Sequence, residues 1–103
     1  MIVCLPGALR DLRRIARWYR RRRPAYEGRF FQRLRVTIGL IERAPESFPL
    51  MLGDTDLRRA RVLRSPYSVA FVVLAGEIHV VAVIHGARSH GAVRRQLRKR
   101  TSR

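Results

Sequence analysis

Residues 68–85 read SVAFVVLAGEIHVVAVIH, two runs rich in β-branched and aromatic residues with a short break between them. Such residues are enriched in strands, and the glycine at position 76 can supply the positive φ that a tight hairpin needs. The stretch therefore predicts antiparallel strands over residues 68–74 and 77–85. Another β-prone run lies just upstream, over residues 57–63, so we expect a three-stranded antiparallel meander.

The first half of the chain instead carries the three- and four-residue apolar spacing of amphipathic helices. One helix is predicted from about Ala8 until Pro24 stops it, and a second from Pro24 to Ala44. Because the link is so short, the two helices should pack as an antiparallel hairpin. Their apolar positions are Leu9, Leu12, Ile15, Ala16 and Tyr19 in the first, and Tyr26, Phe30, Leu34, Ile38 and Ile41 in the second.

The N-terminal residues 2–5 form one more short β-prone run, which ends at Pro6. An N-terminal strand, a helical hairpin and a three-stranded antiparallel meander make an α+β fold, with the helices packed on one face of the sheet. We expect a single domain over residues 1–93 and a basic C-terminal tail over residues 94–103. Cys4 should lie in the first strand as a small buried hydrophobe.

The two long strands are apolar on both faces, over residues 69–74 and 80–84. A sheet that is covered by helices on one face only should alternate apolar and polar residues. Something must therefore cover part of the second face. It could be a partner segment lying in a hydrophobic groove, or the loop over residues 45–56 aided by sheet twist, and the sequence leaves both open.

Positive charge dominates the composition, with 23 Lys and Arg against 7 Asp and Glu in 103 residues, a formal net charge of +16. Lys99 is the only lysine, and arginines bind phosphate and carboxylate groups bidentately. Nucleic acid, an anionic membrane surface and an acidic protein are all partners that such a charge attracts. The sequence has no apolar run long enough to span a bilayer and no signal-peptide pattern, so we expect a cytoplasmic protein.

The order of elements and four local patterns resemble the RelE/ParE toxins, over the chain up to about His90. The patterns are LPGALRDL at residues 5–12, Pro45 after the second helix, Leu57-Arg58 opening a strand, and residues 66–71 followed by residues 78–88. The ending HGAR at residues 85–88 is similar to the ParE branch in particular.

This resemblance implies the toxin of a type II toxin–antitoxin system, neutralised by a cognate acidic antitoxin whose C-terminal segment wraps the toxin surface. Such a partner would neutralise the positive charge and cover the exposed sheet face. ParE-type members poison DNA gyrase, and RelE-type members cut messenger RNA inside the ribosome. We expect gyrase to be the target, with a ribosome-dependent endoribonuclease and a non-toxic basic nucleic-acid-binding module as the alternatives.

Catalysis as a metal-independent ribonuclease would need an acid, a base and cations that stabilise the phosphorane. His85, Tyr67, Arg64 and Arg88 could supply these groups. RelE-type nucleases, however, usually carry an arginine where this chain has Ser68, and several end in a His-Tyr pair that it lacks. We therefore expect binding rather than catalysis, through Arg58, Arg64, Tyr67, His85, Arg88, Arg94, Arg95 and Arg98.

His85 also has a plainer interpretation, as a strand-end histidine hydrogen-bonded to a neighbouring carbonyl or to Asp11. The three histidines are accompanied by neither a cysteine pair nor clustered acids. No metal site and no cofactor are expected.

Overall fold

The order of secondary structure is the one expected from the sequence. The computed structural model describes residues 1–51, 56–86, 95 and 97–100. The elements are β1 (Ile2–Cys4), α1 (Pro6–Arg22), α2 (Pro24–Arg43), a 3-10 turn (Pro45–Ser47), β2 (Arg58–Arg61), β3 (Tyr67–Leu74) and β4 (Glu77–His85). The helices pack against a four-stranded sheet, and the predicted α+β class is confirmed.

The sheet is mixed and has the strand order β1-β4-β3-β2. The meander pairs antiparallel throughout, whereas β1 joins β4 in parallel, with Ile2 opposite Ile78. Between β3 and β4 the register shifts after Ala70, which leaves Val81 as an extra residue in β4. Because of this bulge, Val81 and Ala82 both face the side of the sheet away from the helices.

Most element boundaries agree with the predictions to within one residue, and two differ by about two residues. Helix α1 begins at Pro6 rather than near Ala8, because proline fits the first helical position, where no backbone N–H is needed. Strand β2 ends at Arg61 rather than at residue 63. The Val62 N–H donates to the Tyr67 carbonyl at 2.9 Å and closes a turn there.

Two hydrophobic cores lie on the two faces of the sheet. The first lies between sheet and helices, around Phe30, Ile41 and Phe71. In the second, Met51 and Leu97 pack with the strand residues, and Leu97 is only 2% exposed. The chain itself thus covers the second face, through the end of the loop and a helical segment over residues 97–100.

Cys4 lies in β1 as predicted, but the expectation that it is buried was wrong. β1 is a three-residue edge strand with a neighbour on one side only, so the Cys4 side chain stays exposed. Partial desolvation raises the pKa of its thiol, which disfavours the reactive thiolate at neutral pH.

A buried carboxylate ties three parts of the fold together. Asp11 of α1 is 2% exposed and accepts a hydrogen bond from the Val83 backbone N–H of β4 at 3.0 Å. It also binds Arg100 at 2.9 Å and Arg14 at 2.9 Å. Arg100 donates further to the Val81 carbonyl at 3.1 Å, so the C-terminal helical segment is anchored to both α1 and β4.

Neither α1 nor α2 has the length and apolar character of a bilayer-spanning helix, and the rest of the described chain offers no other candidate.

Candidate binding pocket

A cavity of about 500 Å³ opens where the helical hairpin meets the start of β3 and the end of β4. Helix α1 ends at Arg22 and α2 begins at Pro24, so residues close to this link reach the cavity from both helices. We call this cavity the hairpin pocket. Its lining residues are Trp18, Tyr19, Arg23, Tyr26, Phe30, Arg33, Arg64, Ser65, Pro66, Tyr67 and His85.

Rings in mutual contact form one wall of the hairpin pocket. Tyr19 stacks on Phe30, with 5.4 Å between ring centroids and 29° between planes. Phe30 meets Tyr67 edge to face at 5.5 Å, and Tyr67 meets His85 in the same way at 5.4 Å. Trp18 extends the wall outward, at 5.2 Å from Tyr19. Since Phe30 is 2% exposed, the wall is anchored in the first core.

Three arginines, Arg23, Arg33 and Arg64, surround this wall. The guanidinium of Arg23 lies over the Tyr26 ring, 5.6 Å from its centroid. The backbone of Arg64 has φ +55°, a left-handed conformation that residues other than glycine seldom adopt. Such strain is found at functional sites more often than elsewhere. No carboxylate is among the described residues of the lining, so the pocket is strongly electropositive.

The two tyrosines of the wall are hydrogen-bond donors rather than bases. Desolvation raises the pKa of Tyr19, and nearby Tyr67 raises it further, against the opposing effect of Arg33 and Arg23. Burial likewise raises the pKa of Tyr67, with Arg14 acting against it. Both phenols therefore keep their protons at neutral pH.

A smaller cavity of about 240 Å³ lies at the end of β4 and is lined in part by Arg59 and Arg61. The Nε of Arg59 donates to the hydroxyl of Ser68 at 3.1 Å, and the Nε of Arg61 donates to the Ser65 carbonyl at 3.2 Å. Neither Arg59 nor Arg61 was predicted from the sequence as a site residue. The two-residue alternation of a strand could have placed them on one face.

The structure brings together three of the predicted binding residues, Arg64, Tyr67 and His85, in the hairpin pocket. Arg58 lies outside its lining and donates to the Phe48 carbonyl at 2.7 Å, which fastens the loop before β2. Arg98 forms an ion pair with Asp56.

Arg95 is exposed. Arg88 and Arg94 lie outside the described residues. The binding roles of all eight predicted residues stay predictions. For His85, Asp11 was one of the two hydrogen-bond partners predicted from the sequence. The Asp11 carboxylate accepts a hydrogen bond from the Val83 backbone N–H.

Within the part of the chain that the structure describes, no three His, Cys, Asp or Glu side chains come together in a group that could hold a metal ion.

Comparison with known families gives a match over residues 2–90 to the ParE toxin of the type II toxin–antitoxin system, parDE. No curated protein sequence matches the chain. The family match covers all four strands and both long helices of the described part of the chain.

Proposed function

Because the chain belongs to the ParE toxins of type II toxin–antitoxin systems, we propose that it stops growth by poisoning DNA gyrase in the cytoplasm. The family match over residues 2–90 carries this proposal, since the ParE branch is the one that acts on gyrase. A non-catalytic mode of action agrees with the hairpin pocket, whose described lining offers cations and rings but no carboxylate.

A cognate acidic antitoxin is the second part of the proposal. The family implies an antitoxin partner, and a net charge of +16 favours one that is acidic. Leu97 and Met51 already occupy the second sheet face, so electrostatic attraction supports this partner more strongly than an open apolar groove does.

A ribosome-dependent ribonuclease is the second candidate, because Arg64, Tyr67 and His85 do line one pocket. Its weakness is the shortage of proton-transfer groups. Tyr67 keeps its proton at neutral pH, which leaves His85 as the one general acid–base candidate of the described lining.

Induced expression without antitoxin tests the proposal, with separate pulse labelling of DNA and protein synthesis. We expect DNA synthesis to stop first, and the purified protein to inhibit supercoiling by gyrase. Early arrest of translation with cleaved transcripts would overturn the gyrase proposal in favour of the ribonuclease. Unimpaired growth would instead favour a non-toxic nucleic-acid-binding module.

Two variants separate binding from chemistry. His85→Gln keeps a polar side chain but cannot shuttle a proton, so a gyrase poison should retain its toxicity and a ribonuclease should lose it. Arg64→Gln should weaken a gyrase poison, because it removes a cation from the hairpin pocket. Arg35→Gln is the matched control, since Arg35 is exposed on α2 and does not line the pocket.

A further inference from the structure

We propose that the hairpin pocket binds a nucleotide, with the base against the aromatic wall and the phosphate among the arginines. The ligand class is a nucleoside phosphate, either free or as an unstacked nucleotide of a single strand. This inference goes beyond gyrase poisoning and holds whichever target the toxin has.

The rings at the mouth of the pocket have the exposure that a stacking surface needs. Trp18 is 45% exposed, and Tyr26, over whose ring the guanidinium groups of Arg23 and Arg29 lie, is 41% exposed. Behind them Phe30 is buried and fixes the wall in place, so little ordering is needed when a ligand binds. Aromatic side chains held in this way are the usual platform for an unstacked base.

The arginines of the pocket supply the anion-binding half of the site. Among the described residues, the arginines that form ion pairs with carboxylates are Arg14, Arg20, Arg98 and Arg100. The pocket arginines are in none of these pairs. Guanidinium groups bind phosphate bidentately, and the protonated phenol of Tyr67 adds a donor beside them.

A nucleotide uses both halves of the site, whereas the side chain of an acidic peptide would use only the cations. The cavity of about 500 Å³ lies within the usual range for small-ligand sites. Duplex DNA hides the faces of its bases by stacking, and it could offer the pocket only phosphates. The geometry therefore favours a free nucleotide or a single strand over a duplex or a peptide.

Trp18 is the one tryptophan of the sequence and lies at the mouth of the pocket, so the tryptophan fluorescence of the protein reports on ligand binding there. The purified toxin would be titrated at moderate salt with ATP, a single-stranded octanucleotide, the corresponding duplex and inorganic phosphate. We expect saturable quenching of Trp18 emission by ATP or by the single strand, with heat of binding measured in parallel by calorimetry. Saturation by ATP indicates a free nucleotide as ligand, and saturation by the octanucleotide alone indicates a strand.

Variants locate the binding within the pocket. Arg33→Gln and Arg64→Gln should each weaken nucleotide binding about 10-fold, because each removes a charged hydrogen bond to phosphate. Tyr26→Leu should also weaken binding, since it keeps apolar bulk but removes a ring. Arg35 lies in the same helix as Arg33 but outside the lining of the pocket. Arg35→Gln removes the same charge, so the nucleotide affinity of this variant should equal that of the parent protein.

Several results would overturn the proposal. One is the absence of saturable binding by both methods, and another is equal binding of inorganic phosphate or duplex. Equal weakening by Arg35→Gln would show bulk electrostatics, and displacement of nucleotide by an equal concentration of a polyglutamate octapeptide would assign the pocket to a peptide. Failure of the toxin to inhibit gyrase would leave this test unaffected, so the two proposals can fail separately.

Discussion

Asp11 shows how one side chain holds a highly charged molecule together. Its carboxylate is almost entirely out of water, and donors from α1, β4 and the C-terminal segment satisfy it. A buried charge is stable only while such partners remain, and removing one side of a buried pair costs more than the pair contributes.

Asp11→Asn should therefore lower the free energy of unfolding by about 3 kcal/mol, because it leaves Arg100 without its charged acceptor. Urea denaturation followed by circular dichroism measures this. Asp56→Asn is the matched control: the Asp56–Arg98 pair is exposed, so its loss should cost less than about 1 kcal/mol. Equal losses in the two variants would show that Asp11 acts as an ordinary surface carboxylate.

At the scale of single residues the sequence predicts part of the pocket. Tyr67 and His85 could be selected because they lie at strand ends within the patterns shared with the family, and Arg64 because it follows a predicted strand. Trp18 and Arg33 could not, because their place in the pocket depends on how the two helices pack against β3. Trp18 lies beside the main apolar stripe of α1. From the sequence it could belong to the core or to an interface, and only the packing of the helices distinguishes the two.

Among the elements, α1 and α2 each contain glycine at positions where a helix would ordinarily prefer alanine. The reasons differ. A Cβ at Gly39 in α2 would meet nothing within 4 Å, whereas a Cβ at Gly7 in α1 would lie 2.9 Å from Nε of Arg100. Gly7 thus makes room for the arginine that binds Asp11, and Gly39 has no such neighbour.

Gly39→Ala should accordingly raise the free energy of unfolding by about 0.5 to 1 kcal/mol, the usual difference between the two residues inside a helix. Gly7→Ala should show no such gain, since displacement of Arg100 offsets the better helix propensity. Denaturant melts of the two variants beside the parent protein test this. A gain at Gly7 as large as at Gly39 would contradict the proposed packing of Arg100.

The elements themselves were the most predictable level of the structure. Apolar spacing identifies both helices, and β-branched runs identify the meander. The early end of β2 could not be predicted, because it depends on the turn in which Arg64 adopts a positive φ. Nor does a lone Leu97 in a basic stretch indicate that it packs beneath the sheet, since that contact joins residues far apart in sequence.

For the molecule as a whole, the excess of positive charge gives rise to electrostatic repulsion within the isolated toxin. A net charge of +16 on a compact chain is self-repulsive, because only 7 acidic side chains stand against 23 basic ones. Raising sodium chloride from about 0.05 M to about 0.5 M shortens the screening length below the spacing of most surface charges.

We therefore expect the melting temperature of the free toxin to rise by about 5 °C over this range of salt, which corresponds to about 1 kcal/mol. Thermal unfolding by calorimetry measures it. A fall in melting temperature would mean that exposed ion pairs such as Arg20–Glu27, which salt screens, outweigh the general repulsion.

The central position of β4 has a consequence for biosynthesis. β4 lies between β1 and β3, and its residues follow nearly everything else in the chain. While the ribosome is still making β3, the N-terminal strand has no neighbour to pair with, and Asp11 lacks the Val83 N–H that it binds. At about 5 to 20 residues per second, translation keeps the chain in this incomplete state for seconds. The sheet can thus form only after β4 has been made, which leaves time for an antitoxin already present in the cell to bind the emerging toxin.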